Sequence, residues 1–113
     1  MKITQSAALS PSLASEAKRL GTALARLRIA RGMKQDQAAL RAGLSRNTAY
    51  RMEKGDPGVA MGQVLRYLDA IVPGKTLLEL LAETDPALAA LGAREQRRRA
   101  GDLSTRELDE IDF

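Results

Sequence analysis

Neither cysteine nor histidine occurs anywhere in the 113 residues. The first absence removes disulfides, thiolate nucleophiles and cysteine zinc sites. The second removes the commonest general base and the commonest metal ligand. Catalysis would fall to Asp, Glu, Lys or Ser, with neither a Gly-rich phosphate loop nor a carboxylate constellation to support it. An enzyme is therefore not expected, nor a metal or cofactor. Aromatics are also scarce, since Tyr50, Tyr67 and Phe113 are too few for the stacking platform of a single-strand binder. No apolar run approaches the ~20 residues of a membrane span. Residues 1–6 lack the apolar segment of a secretory signal. A cytoplasmic protein without a membrane partner is the expectation.

What the chain has is basic charge, unevenly placed. Residues 1–81 hold 13 Lys/Arg against 6 Asp/Glu, a net of +7, and residues 82–100 add a net of +1. Residues 101–113 hold one Arg and five acids, a net of −4. The part able to fold is thus the basic part, as a polyanion binder requires.

Hydrophobic spacing divides the chain into an arm over 1–10, a helical domain over 11–83 and an extension over 84–113. The arm lacks periodicity, with extended structure around Ile3 the one suggestion. Ser10-Pro11 has the form of a helix start, although Ser12 and Ser15 are also competent caps. Leu13, Ala17, Leu20, Leu24 and Leu27 then form one helical face, ended by Gly32. A second helix is predicted over Gln35–Ala42, with Ala38, Ala39 and Leu40 as its apolar content. Gly43 and Leu44 make a tight turn, and a third helix runs over Ser45–Glu53 with Ala49 and Met52 inward. The turn residues at 54–58 break it. A fourth helix over Met61–Ile71 is predicted to bury Val64, Leu65, Leu68 and Ile71, and a fifth spans Thr76–Ala82. Four leucines in five residues exceed one buried stripe, so Leu77, Leu78 and Leu81 are expected at a dimer interface. Residues 86–100 could form another helix through Leu88 and Leu91. Residues 101–113 read as disordered alone and able to order on a partner.

The stretch Lys34–Gly55 carries the function. Two short helices joined by a tight turn, the second capped by Ser45, present Arg46, Asn47, Tyr50 and Arg51 on an outer face. Arg pairs bidentately with guanine and Asn with adenine in the major groove. A helix offering such groups from its first turns is a helix-turn-helix reader of DNA. Gln35 opens the preceding helix, where an N-terminus favours phosphate. Tyr50 either meets a phosphate or lays its ring on the bundle.

With Leu20, Leu24, Leu27, Arg28, Arg31, Gly32, Gln35, Gly43, Leu44, Ser45, Thr48, Glu53 and Gly55 in place, residues 16–82 resemble the Cro/phage-repressor type (Xre family) of helix-turn-helix domain. The resemblance implies an all-α, five-helix bundle that binds double-stranded operator DNA as a homodimer. It implies phosphate contact by Gln35, base contact by Arg46, Asn47 and Arg51, and backbone contact by Ser45, Thr48 and Lys54. It also implies an Arg28–Glu53 pair clamping the first long helix to the third. Ala38 and Ala49 stand where the family carries larger residues, which implies a thinner core or a closer approach of helices. The stretch Lys54–Leu65, with Asp85-Pro86 and the Arg-rich segment downstream, resembles the HipB-like branch. That branch implies an antitoxin that represses its own operon and holds a HipA-like kinase toxin. The alternatives are a stand-alone Xre-type regulator without a toxin, and a protein-interaction module acting through the acidic tail with its DNA-reading face unused.

Overall fold

Seven helices follow one another in the computed structural model, which describes residues 4–82 and 85–111, the stretch 101–111 as backbone. They are α1 (Gln5–Ala8), α2 (Pro11–Ala30), α3 (Gln35–Ala42), α4 (Arg46–Glu53), α5 (Met61–Ile71), α6 (Leu77–Leu81) and α7 (Pro86–Ile111). Helices α2–α6 form the five-helix bundle, with α1 before it and α7 after it. Ile3, the 83/84 boundary and Phe113 lie outside the described residues.

Local chemistry sets most of the ends. Ser10 caps α2, its Oγ accepting from the Leu13 amide at 3.3 Å, with Pro11 at the first helical position. Ser45 caps α4 in the same way through the Thr48 amide at 3.0 Å. Gln37 and Gln63 each reach back 3.0 Å to the amide before their helix, that of Lys34 and that of Ala60. Gly43, at φ 70°, closes α3 and makes the turn into α4.

The core gathers Leu24 and Leu27 of α2, Ala38, Ala39 and Ala42 of α3, Ala49 and Met52 of α4, four residues of α5 and Leu80 of α6. Three corrections to the periodicity reading follow from helical phase. Leu40 is 82% exposed, because the inward positions of α3 are 35, 38, 39 and 42. Leu65 is 47% exposed, and Tyr67 takes its place in the stripe Val64, Tyr67, Leu68, Ile71. Leu13 is half exposed at the open end of α2. Ala38 and Ala49 are fully buried, so α3 and α4 meet across side chains too short to hold them apart.

The two ends also differ from expectation. Part of the arm is helical, since the Thr4 hydroxyl accepts from the Ala7 amide at 3.2 Å and nucleates the single turn α1. The extension is one helix to Ile111 where a disordered tail is expected over 101–113. Asp85 caps it through the Ala87 amide at 2.9 Å, and no proline follows Pro86 to stop propagation. Its first half packs mainly on α2, where Arg26 and Glu95 make a two-bonded pair at 2.9 and 2.8 Å. Asp85, 3% exposed, accepts from Arg31 at 2.5 Å and Lys75 at 3.3 Å, tying the start of α7 to the bundle. Burial pushes its carboxyl up, but these partners hold it below the usual aspartate range.

Candidate nucleic-acid interface

Helix α4 is anchored at its C-terminal end and open at its N-terminal end. The anchor is Glu53, whose side chain is 7% exposed. Arg28 donates to it from Nε at 2.7 Å and from Nη2 at 2.9 Å, and spends Nη1 on the Met33 carbonyl at 2.8 Å. Gln35 Nε2 donates to the same carboxylate at 3.0 Å, and the Tyr67 hydroxyl makes a short bond to Oε2. Four elements therefore converge on one carboxylate: α2, α3, α5 and α4 itself. Burial pushes Glu53 up, but the bonds from Arg28 and Tyr67 bring it below its ordinary value. Burial, and then the bond to Glu53, push the Tyr67 hydroxyl well above the tyrosine range.

A second anchor is steric. A Cβ on Gly21 would stand 2.6 Å from the Met52 carbonyl oxygen and 2.7 Å from both the Glu53 oxygen and the Gly55 nitrogen. Gly55, at φ 81°, would place its own Cβ 2.5 Å from Lys18 Cα. The backbones of α2 and the end of α4 thus touch, which only glycine at both points permits.

The outward side of α4 is open to solvent at its N-terminal turns. Arg46, Asn47 and Tyr50 are exposed. Arg51 is partly covered, its Nε held by Asp56 at 2.7 Å, and Asp56 in turn accepts from the Gly58 amide at 2.8 Å. Those two bonds hold the Asp56 carboxyl below its ordinary range. Among the described residues no bond engages the Arg51 Nη groups, so the loop fixes the stem and leaves the fork to donate. Lys54 lies over the Tyr50 ring at 5.5 Å, a cation–π contact that poises its ammonium beside the helix end. The Ser45 and Thr48 hydroxyls bond to each other at 2.8 Å, at the helix N-terminus where amides point outward.

Of the residues singled out in the sequence, Ser45, Arg46, Asn47, Thr48, Tyr50, Arg51 and Lys54 share α4 and its cap. Gln35 departs from them, its amide engaged with Glu53. Arg28 and Glu53 meet as described above. Leu77 is half-buried against the core, whereas Leu78 and Leu81 are exposed at 78% and 58%. The sequence reading gives no structural role to Tyr67, Asp56 or Gly21, and counts Asp85 only in the HipB-like resemblance. The 64, 67, 68, 71 spacing would have found Tyr67, and Gly21, a poor helix former in the interior of α2, is the mark of a close neighbour.

Among the described residues no helix is long and apolar enough to cross a membrane. No curated protein and no solved structure matches the chain. A family model described as a helix-turn-helix domain matches residues 19–84, more than half of the chain. That span takes in Gly21, Arg28, the α3–turn–α4 unit and Glu53, and the chain belongs to the helix-turn-helix domain family.

Proposed function

We propose that the protein is a sequence-specific repressor that binds double-stranded operator DNA as a homodimer. The carrying observation is the asymmetry of α4, fixed at one end by Glu53 and offering Arg46 and Asn47 from its exposed first turn. In this reading Arg46, Asn47 and Arg51 address base edges. Ser45, Thr48, Tyr50 and Lys54 address phosphates, and Gln35 adds the N-terminus of α3. Leu78 and Leu81, with Leu77 behind them, supply the two-fold contact that sets two α4 helices about 34 Å apart in successive grooves.

The test is fluorescence anisotropy with the DNA upstream of the protein's own gene against an unrelated duplex, at two salt concentrations. Specific binding should exceed non-specific binding by ~10³ or more. Arg46→Ala and Asn47→Ala should each weaken only the specific complex, by ~5- to 150-fold, the equivalent of about 1–3 kcal/mol. Lys54→Ala should weaken both complexes and flatten the salt dependence by about one unit of slope. Equal affinity for both duplexes would overturn the repressor reading. Leu78→Asp with Leu81→Asp should leave a folded monomer in analytical ultracentrifugation.

The narrower role is that of an antitoxin repressing its own toxin–antitoxin operon. It is supported by the resemblance over Lys54–Leu65 to the HipB-like branch. Stable co-purification with a HipA-like kinase encoded beside it would support that role, and the absence of any such gene would refute it.

A further inference from the structure

An open groove of about 960 Å³ runs between the N-terminal half of α2 and α6, and of its walls the repressor reading uses only α6, through Leu77 and Leu81. Leu13, Leu20, Leu77 and Leu81 line it, and Leu13 and Leu81 are at least half exposed. Its rim carries Lys18 and Arg19, against a single acid, Glu16. Among the described residues no ion pair or hydrogen bond engages the Lys18 or Arg19 side chain. An apolar floor under a basic rim fits a segment that is apolar and acidic together.

Residues 101–113 have that composition. Leu103, Leu108, Ile111 and Phe113 alternate with Asp102, Glu107, Asp109, Glu110 and Asp112, for a net of −4. The backbone of α7 carries residues 101–111 onward from the packed half of the helix. Helix α7 leaves α2 at the Arg26–Glu95 pair, residues 96–100 are all exposed, and the helix continues to Ile111, about 24 Å further along its axis. The molecule is accordingly 63 Å long and only 33 by 25 Å across. An unbroken helix leaving in this way does not turn back into its own groove.

We propose that the groove between α2 and α6 receives the acidic, leucine-bearing end of α7 from a second copy of the chain. The exchange is reciprocal, two tails into two grooves about one two-fold axis, which closes the assembly as a dimer. It rests on the homodimer reading above and deepens it, since the tail then sits beside Leu81 and extends the contact made by α6. Specificity comes from charge: a groove with an acidic rim would reject this tail.

The absence of native cysteine makes single introduced thiols clean reporters. A full-length Leu13→Cys chain is mixed with a size-tagged full-length Ile111→Cys chain and treated with a short bis-maleimide. The expected product is a mixed covalent dimer. Lys18→Glu with Arg19→Glu on the groove-bearing chain should reduce its yield by ~5-fold or more, since attraction becomes repulsion at two positions. Asp109→Lys with Glu110→Lys on the tail-bearing chain should restore it. Circular dichroism checks that the variants stay folded. Analytical ultracentrifugation of the unaltered chain separates the two ideas. A monomer overturns both. A dimer without the mixed product, or with a product indifferent to the charge swaps, overturns the exchange and leaves the homodimer standing. Cross-linking within one chain that carries both cysteines also overturns the exchange.

Discussion

Replacing Glu53 by Ala should be the most damaging polar substitution in the bundle. The side chain is 7% exposed and accepts from Arg28 twice, from Gln35 and from Tyr67. Its loss leaves the Arg28 guanidinium, itself only 13% exposed, without a counter-charge, and the buried Tyr67 hydroxyl without an acceptor. Removing one partner of a buried pair costs about 3–5 kcal/mol, because the survivor stays desolvated and uncompensated. Against a total stability of about 5–15 kcal/mol that is a large fraction. At about 4–8 °C per kcal/mol for a domain of this size, the midpoint should fall by at least ~12 °C. Urea unfolding at pH 7, followed by circular dichroism at 222 nm, measures it directly. A control separates burial from simple attraction. Arg28→Met with Glu53→Leu removes both charges and should cost less than Glu53→Ala alone. A loss below ~1 kcal/mol for Glu53→Ala, the value of an exposed ion pair, would refute the clamp, as would a double variant worse than the single one.

Gly21→Ala should destabilise by about 1–3 kcal/mol by overpacking, although Ala is the better helix former by ~1 kcal/mol, because the new Cβ meets backbone atoms of 52, 53 and 55; a gain in a thermal melt would show that α2 and α4 are not in close contact. Folded Glu53 and Asp85 both lie below their ordinary values, so the unfolded chain takes up their protons first. Stability should hold above about pH 4 and fall as pH drops through the folded values, with a shallower acid limb in Glu53→Gln. Tyr67 is shifted upward instead, so the unfolded chain ionises first above about pH 10 and stability should decline there, but not in Tyr67→Phe. Leu40→Gln should stay within about 0.5 kcal/mol of the parent, whereas Leu68→Ala should cost about 2–5 kcal/mol, since the first side chain is in water and the second is 1% exposed.

Spacing made the helices legible, and phase made the misreadings. Leu40 and Leu65 carry the strongest apolar signal of their turns, yet by helical phase Leu40 lies about 150° and Leu65 about 110° from the centre of its helix's buried stripe. In α3 the buried positions are filled by Ala38, Ala39 and Ala42, which carry little hydrophobic signal. The exposure of Arg46 and Asn47 is legible because, among the described residues, no bond in the fold engages their side chains, and caps such as Ser45 act within a few residues. Gln35 and Tyr67 are not, because their partner Glu53 lies 18 and 14 residues away and only the packed bundle brings them together. The helical course of 101–111 was hidden for a related reason: composition measures whether a segment can bury itself, not whether a helix started upstream propagates through it.

The positions of these groups suggest why so much polar bonding gathers on the inner side of a short helix. An eight-residue α4 has too little apolar surface, essentially Ala49 and Met52, to fix its own angle on the bundle. Leucine in place of Ala49 would pack harder but push the helix away from α3. The closer packing leaves the orientation of α4 underdetermined by hydrophobic contact, which has no direction. Hydrogen bonds do have direction. Glu53 converts three neighbouring elements into a directional hold, the Gly21–Gly55 contact sets the distance, and Asp56 fixes the Arg51 stem. In the proposed reading, a helix held in this way would meet DNA with its axis already oriented, so less of the binding energy would go into ordering it. Loosening the clamp while keeping the fold should therefore weaken binding to the cognate site more than to an unrelated duplex, because base contacts demand geometry that phosphate contacts tolerate losing.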